Sequence, residues 1–164
     1  MENKITYQAD SLSYTKKLAE VLSHSIDKSG VLICLYGDIG SGKTTFTKFL
    51  AEYLGIDRRV TSPSFVILNE YHTDEISLYH FDLYRLEREG VDTILDELSE
   101  YTEKENSVTL IEWAEFSSGN LPAERLDIEI RYVDDEKREF LITAYGNKNQ
   151  KILEKLNTHL HCVQ

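Results

Sequence analysis

The 164-residue chain has only two cysteines, too few for a disulfide-built protein. Cys34 lies inside an apolar run, as a small core residue does, and Cys162 lies near a polar terminus. No C-x-x-C spacing marks a metal or redox site, and such sparse thiols fit a reducing intracellular compartment. No stretch approaches the ~18 consecutive apolar residues of a membrane span, and the opening MENKITYQAD holds no apolar signal segment. The expectation is a cytoplasmic protein with no membrane partner. Basic charge is scarce as well: 18 lysines and arginines stand against 29 acidic residues, a net of −11. A dedicated nucleic-acid binder shows a basic face, so this balance argues against a direct grip on nucleic acid by this chain alone. No linker rich in proline, glycine or serine divides the chain, and no repeat or low-complexity segment occurs. Residues 1–164 therefore read as a single domain, long enough to bury a real core.

What is present is an α/β pattern. From Ser11 to Ile26 the apolar residues Leu18, Leu22 and Ile26 recur at helical spacing. Val31 to Tyr36 is a continuous apolar run, expected of a strand buried on both faces. A second helix carries Phe46, Phe49, Leu50, Tyr53 and Leu54 on one face and ends at Gly55. Two β-rich stretches follow, around Phe65–His72 and Ile76–Phe81, then a polar helical segment from Val91 to Glu105. Val108 to Ile111 is another short apolar run. Beyond it, Ile128, Ile130 and Tyr132, and then Phe140, Ile142 and Ala144, alternate with polar residues on either side of an acidic turn, Asp134 to Lys137. That is an antiparallel hairpin with one buried face. A closing helix, Lys148 to Leu160, presents Ile152, Leu153, Leu156 and Leu160. The fold class expected is a phosphate-loop (P-loop) NTPase-like core sheet with helices on both faces and an antiparallel C-terminal hairpin extension.

Between the first buried strand and the second helix stands GDIGSGKT, Gly37 to Thr44, a match to G-x-x-x-x-G-K-[ST] in the strand–loop–helix setting that motif requires. Gly37, Gly40 and Gly42 free the backbone so that successive N–H groups, those of Asp38, Ile39, Ser41 and Thr45 among them, can converge on phosphates at the positive end of a helix. Lys43 supplies a point charge for the β- and γ-phosphates, and the Thr44 hydroxyl is placed for Mg²⁺. An acid completes such a metal site, usually from the C-terminal end of a neighbouring strand. Glu112 follows Val108–Ile111 and fills that position. Trp113, next to it, either packs at the site or fills core.

YHFDLYRL, Tyr79 to Leu86, gathers His80, Asp82 and Arg85. In an extended chain His80 and Asp82 share one face. Asp82 there could orient water, directly or through a metal, or could be only a turn aspartate. His80 could equally be a satisfied core histidine, and Arg85 could offset phosphate charge, dock a partner or form a surface salt bridge. TSPSF, Thr61 to Phe65, is either a switch segment or a plain loop stiffened by Pro63. Guanine recognition usually needs an N-K-x-D element. The nearest stretch, Asn147 to Gln150, ends in an amide, so ATP is the nucleotide expected.

GDIGSGKTTF, SPSF, YHFDLYRL, LIEW, LPAERL and the DDEKRE turn, in this order over almost the whole chain, resemble the bacterial TsaE family of threonylcarbamoyl-adenosine tRNA-modification ATPases, also called YjeE or YdiB. The resemblance implies ATP hydrolysis in support of a TsaB–TsaD complex that transfers a threonylcarbamoyl group to tRNA, with tRNA met only through that complex. It implies Mg²⁺ at Thr44 and Glu112, a phosphate loop from Gly37 to Thr45, and an active-site role for Asp82. It further implies a nucleotide contact by Arg138, a place near the adenine for Thr15, and a switch-like role for Ser62 to Phe65. Ser64 stands where the family usually has threonine, which keeps the hydroxyl; no glycine occurs between Gly90 and Gly119. Two rival readings stand beside the partner-activated ATPase. One is a small-molecule kinase, for which no arginine-rich lid is apparent. The other is an adaptor whose partner affinity changes on ATP binding alone.

Overall fold

The computed structural model describes residues 3–27, 29–61, 67–84, 92–117 and 121–162. Its frame is one seven-stranded sheet. The elements in chain order are β1 (Lys4–Ala9), α1 (Leu12–Ser25), β2 (Val31–Tyr36), α2 (Lys43–Tyr53), β3 (Leu68–His72), β4 (Ser77–Asp82), α3 (Asp92–Thr102), β5 (Ser107–Glu112), a 3₁₀ turn (Ala114–Ser117), β6 (Arg125–Tyr132), β7 (Arg138–Tyr145) and α4 (Asn147–His161). The strands lie in the order β1-β7-β6-β2-β5-β4-β3. The four central ones, β6, β2, β5 and β4, run parallel, and β1, β7 and β3 are antiparallel to their neighbours.

The apolar pattern explains the layers. VLICLY of β2 is apolar throughout because both of its faces are covered, and alternation sends its residues to two separate cores. Ile33 and Leu35 meet Leu18 and Leu22 of α1, Phe46 and Leu50 of α2, and Leu153 and Leu156 of α4. Leu32 and Cys34 join Tyr79, Phe81 and Ile111 under Ile94 and Leu98 of α3. Burial pushes the Cys34 thiol pKa up, as expected of an inert core thiol. Each fully buried Leu or Phe in these layers contributes about 1.5–3 kcal/mol over an exposed one.

The expected P-loop NTPase-like α/β fold is therefore the observed one, with three differences in detail. The hairpin of β6 and β7 is not appended to the parallel core, because β6 pairs in parallel with β2 and so belongs to it. Helix α3 ends at Thr102, short of Glu105. Strand β1 was not expected at all. It closes the sheet against β7 with Ile5, Tyr7 and Ala9 turned toward the helices. Among the described residues no helix is long and apolar enough to cross a membrane.

Candidate nucleotide-binding site

In a parallel sheet, ligands bind beyond the carboxyl ends of the strands, where successive connections leave in opposite directions. Here β2 is flanked by β5 on one side and β6 on the other, and its carboxyl end delivers residues 37–42 directly into α2. Register brings the neighbouring strands to the same edge: Leu35 lies opposite Glu112, and Glu112 opposite Asp82. The acids singled out in the sequence thus stand side by side at the mouth of the loop.

The loop has the conformation its glycines allow. Gly37, Gly40 and Gly42 have φ of 149°, 79° and 106°. Gly42 caps α2 without offering a side-chain acceptor. At Gly37 space is also lacking: a Cβ would lie 2.6 Å from both the Ile130 carbonyl oxygen and Ser41 Oγ. Gly37→Ala is expected to lose about 1–3 kcal/mol of stability through this strain, read as a lower urea midpoint with unchanged slope.

Lys43 is buried, and its Nζ donates to the carbonyl oxygens of Gly37 and, at 3.0 Å, of Asp38. The same ammonium lies 3.7 Å from the centroid of the Trp113 ring, a close cation–π contact. Both readings left open for Trp113 have a contact here: it lies over Lys43 and it also packs against the core under α3. Trp113 adopts φ 59°, unusual for so bulky a residue, and stacks within 4° of parallel on Phe116. Burial lowers the Lys43 pKa, and the charges of Glu115, Glu112, Asp38 and Asp82 oppose that shift. Glu115, whose own pKa burial raises, went unnoticed in the sequence because it belongs to no motif.

Thr44 Oγ1 donates to Glu112 Oε1 at 2.8 Å, and Glu112 Oε2 accepts from His80 Nε2. Both His80 and Glu112 are buried, at 0% and 1% exposure. Asp82 ends β4; its carboxylate accepts the Tyr84 N–H at 3.0 Å, and the Leu83 N–H donates to the Glu112 carbonyl at 3.1 Å. Among the described residues no group of three or more His, Cys, Asp or Glu could hold a metal alone. A hydroxyl and one carboxylate at a phosphate loop is instead the oxygen donor set that suits Mg²⁺, which is held by one or two protein oxygens and the substrate's phosphates.

Beside the loop opens a cavity of about 520 Å³ lined by Ser11, Ser13, Thr15, Thr45, Arg138 and Phe140. Thr15 and Arg138, distant in sequence, therefore share one wall with the loop. Arg138 also braces it: Nε donates to the Ser41 carbonyl at 2.9 Å and Nη2 to that of Gly40 at 3.4 Å, while Nη1 holds the carbonyls of Asp134 and Lys137. Ser41 is buried, and its N–H donates to Asp38 O at 3.1 Å; Ile39 is exposed at the loop tip. Ser11, Ser13 and Phe140 are lining residues that no sequence signal marked. Ser62 to Phe65 and Arg85 lie outside the described residues.

The family model described as threonylcarbamoyl adenosine biosynthesis protein TsaE matches residues 9–140, from the end of β1 into β7. The chain is 44% identical over 145 residues to the tRNA threonylcarbamoyladenosine biosynthesis protein TsaE of Bacillus subtilis, covering 88% of this chain and 89% of that protein. It is 34% identical over 156 residues to the protein of the same name from Haemophilus influenzae, covering 93% and 97%. The crystal structure of Bacillus subtilis YdiB superimposes with a TM-score of 0.78 at 38% identity, covering 97% of each chain. With the phosphate loop, the acids beside it and this match along most of its length, the chain belongs to the TsaE family.

Proposed function

We propose that this chain is the cytoplasmic ATPase of tRNA threonylcarbamoyladenosine biosynthesis, binding and hydrolysing Mg²⁺-ATP to sustain turnover of a TsaB–TsaD transferase pair. The observation that carries the reading is the 2.8 Å contact between the Thr44 hydroxyl and the Glu112 carboxylate at the head of the loop. It joins the two oxygen donors a metal–nucleotide complex needs. The relatives' names supply the pathway.

In this reading the loop N–H groups and Lys43 bind the phosphates, and the cavity lined by Thr15 and Phe140 takes the nucleoside. Thr44 and Glu112 would hold Mg²⁺, which when bound would offset phosphate charge. Asp82, opposite Glu112 in register, orients the attacking water and accepts its proton. The acidic net charge is consistent with a subunit that meets tRNA only through its partners.

The test is ATP turnover with and without TsaB, TsaD and tRNA. ADP and inorganic phosphate appearing without a phosphorylated acceptor, and faster with the partners, supports the ATPase. A phosphorylated metabolite from a candidate pool indicates a kinase instead. Repeated tRNA modification by a variant that binds but cannot hydrolyse ATP indicates an adaptor. Asp82→Asn, which keeps an acceptor for the Tyr84 N–H, is expected to retain nucleotide binding and lose about 100-fold or more in turnover.

A further inference from the structure

His80 stands out because its chemistry is unused by the reading above. It sits in an otherwise apolar stretch of β4, fully buried between Tyr79 and Phe81, which belong to the opposite core. Nε2 faces Glu112 Oε2, and a carboxylate can only accept, so Nε2 carries the hydrogen and donates it. Among the described residues Nδ1 has no hydrogen-bond partner. A histidine kept only to fill space would be a poor choice here, since an apolar residue of similar size brings no polar atom of its own, such as Nδ1, that needs a partner. What an apolar residue cannot provide is the donor to Glu112.

We propose that His80 is a positioning residue for the metal–nucleotide site, acting through Glu112. With Oε2 held by His80, the carboxylate cannot rotate, and Oε1 stays on the Thr44 hydroxyl. The donated hydrogen of Thr44 then points at Glu112, which leaves the threonine's lone pairs, beside the carboxylate's own remaining lone pairs, free for a cation. His80 therefore sets the metal's affinity and leaves the nucleotide's own affinity alone. This rests on the reading of Thr44 and Glu112 as the Mg²⁺ site. It does not depend on whether ATP is hydrolysed.

The experiment titrates Mn²⁺, standing in for Mg²⁺, into protein saturated with ADP and follows loss of the free-ion electron paramagnetic resonance signal. His80→Phe is expected to weaken Mn²⁺ binding about 10- to 100-fold, the range for loss of an orienting partner. ADP affinity measured in EDTA should stay unchanged. His80→Gln, whose amide N–H reaches about as far as Nε2, should restore most of the metal affinity. Should His80→Phe fail to fold, His80→Asn, whose amide stops short of Glu112, takes its place. Full Mn²⁺ affinity in a folded His80→Phe or His80→Asn overturns the role and leaves the ATPase reading standing. So does His80→Gln binding no better than those variants while folding normally. If the unmutated protein binds Mn²⁺ no more tightly than free ADP does, the positioning role falls together with the metal site beneath it.

Discussion

Lys43→Ala is expected to weaken ATP binding roughly 10- to 100-fold and to abolish detectable turnover, because charge-assisted hydrogen bonds to phosphate are worth about 1.5–3 kcal/mol and each 1.4 kcal/mol is tenfold. The structure says why no other residue substitutes. The ammonium is fixed by the Gly37 and Asp38 carbonyls and by the Trp113 face, so its position is set before any ligand arrives. Lys43→Arg is not a conservative alternative, since a planar fork cannot occupy the pocket of a compact ammonium. Titration calorimetry with Mg²⁺-ATP measures the loss. Trp113, the sole tryptophan, gives a second reading: its emission should change in Lys43→Ala even without nucleotide, because its cation is gone. Equal ATP affinity in Lys43→Ala and the unmutated protein would refute the loop's assignment.

Glu112→Gln should leave ATP binding in EDTA near normal while turnover in Mg²⁺ falls about 100-fold or more, since metal-borne charge stabilisation is worth several kcal/mol. Glutamine is chosen over alanine for a structural reason. Truncation would strand the buried His80 Nε2 and take the acceptor from the half-buried Thr44 Oγ1, and one unsatisfied buried donor costs about 1–3 kcal/mol. The amide keeps the shape, but one of its ends now presents hydrogens. If that end meets His80, two donors face each other until the imidazole hydrogen moves to Nδ1, which has no acceptor among the described residues. In that orientation the variant should lose about 1–3 kcal/mol of stability, the cost of one unsatisfied buried donor. Single-turnover kinetics alongside a denaturation curve separates the two effects. Full turnover in Glu112→Gln would remove Glu112 from the metal site.

Much of this was legible because it is local. The apolar run of β2, the spacing from Gly37 to Thr44 and the position of Glu112 after a short apolar stretch are each visible within a few residues. The hairpin was equally plain, since period-two alternation on both sides of an acidic turn suits two paired strands and little else. What stayed hidden depends on distance. His80 pairs with Leu110 rather than Glu112, so its bond to the carboxylate is diagonal and follows from the relative register of β4 and β5. The cavity wall joins Thr15 to Arg138 across most of the chain, and family resemblance named both without showing that they meet. Trp113 over Lys43 requires a left-handed backbone at a bulky residue, which propensity argues against. β1 is six residues with no turn to announce it, recognisable only once β7 offers an edge.

The glycine cap of α2 has a consequence for the loop's own order. Most helices close their first turn with a side-chain oxygen, and Gly42 provides none. Among the described residues the backbone hydrogens of Lys43, Thr44 and Thr45 accordingly meet no backbone acceptor one turn earlier, whereas Phe46 already bonds to Gly42. Whatever satisfies those three hydrogens decides whether the turn is tight or frayed, and water and an anion are competitors for the same role. In the proposed reading, fraying and ligand capture are thus two outcomes of one local equilibrium, and the helix start that would recognise phosphate is also the part of α2 whose folding phosphate would complete.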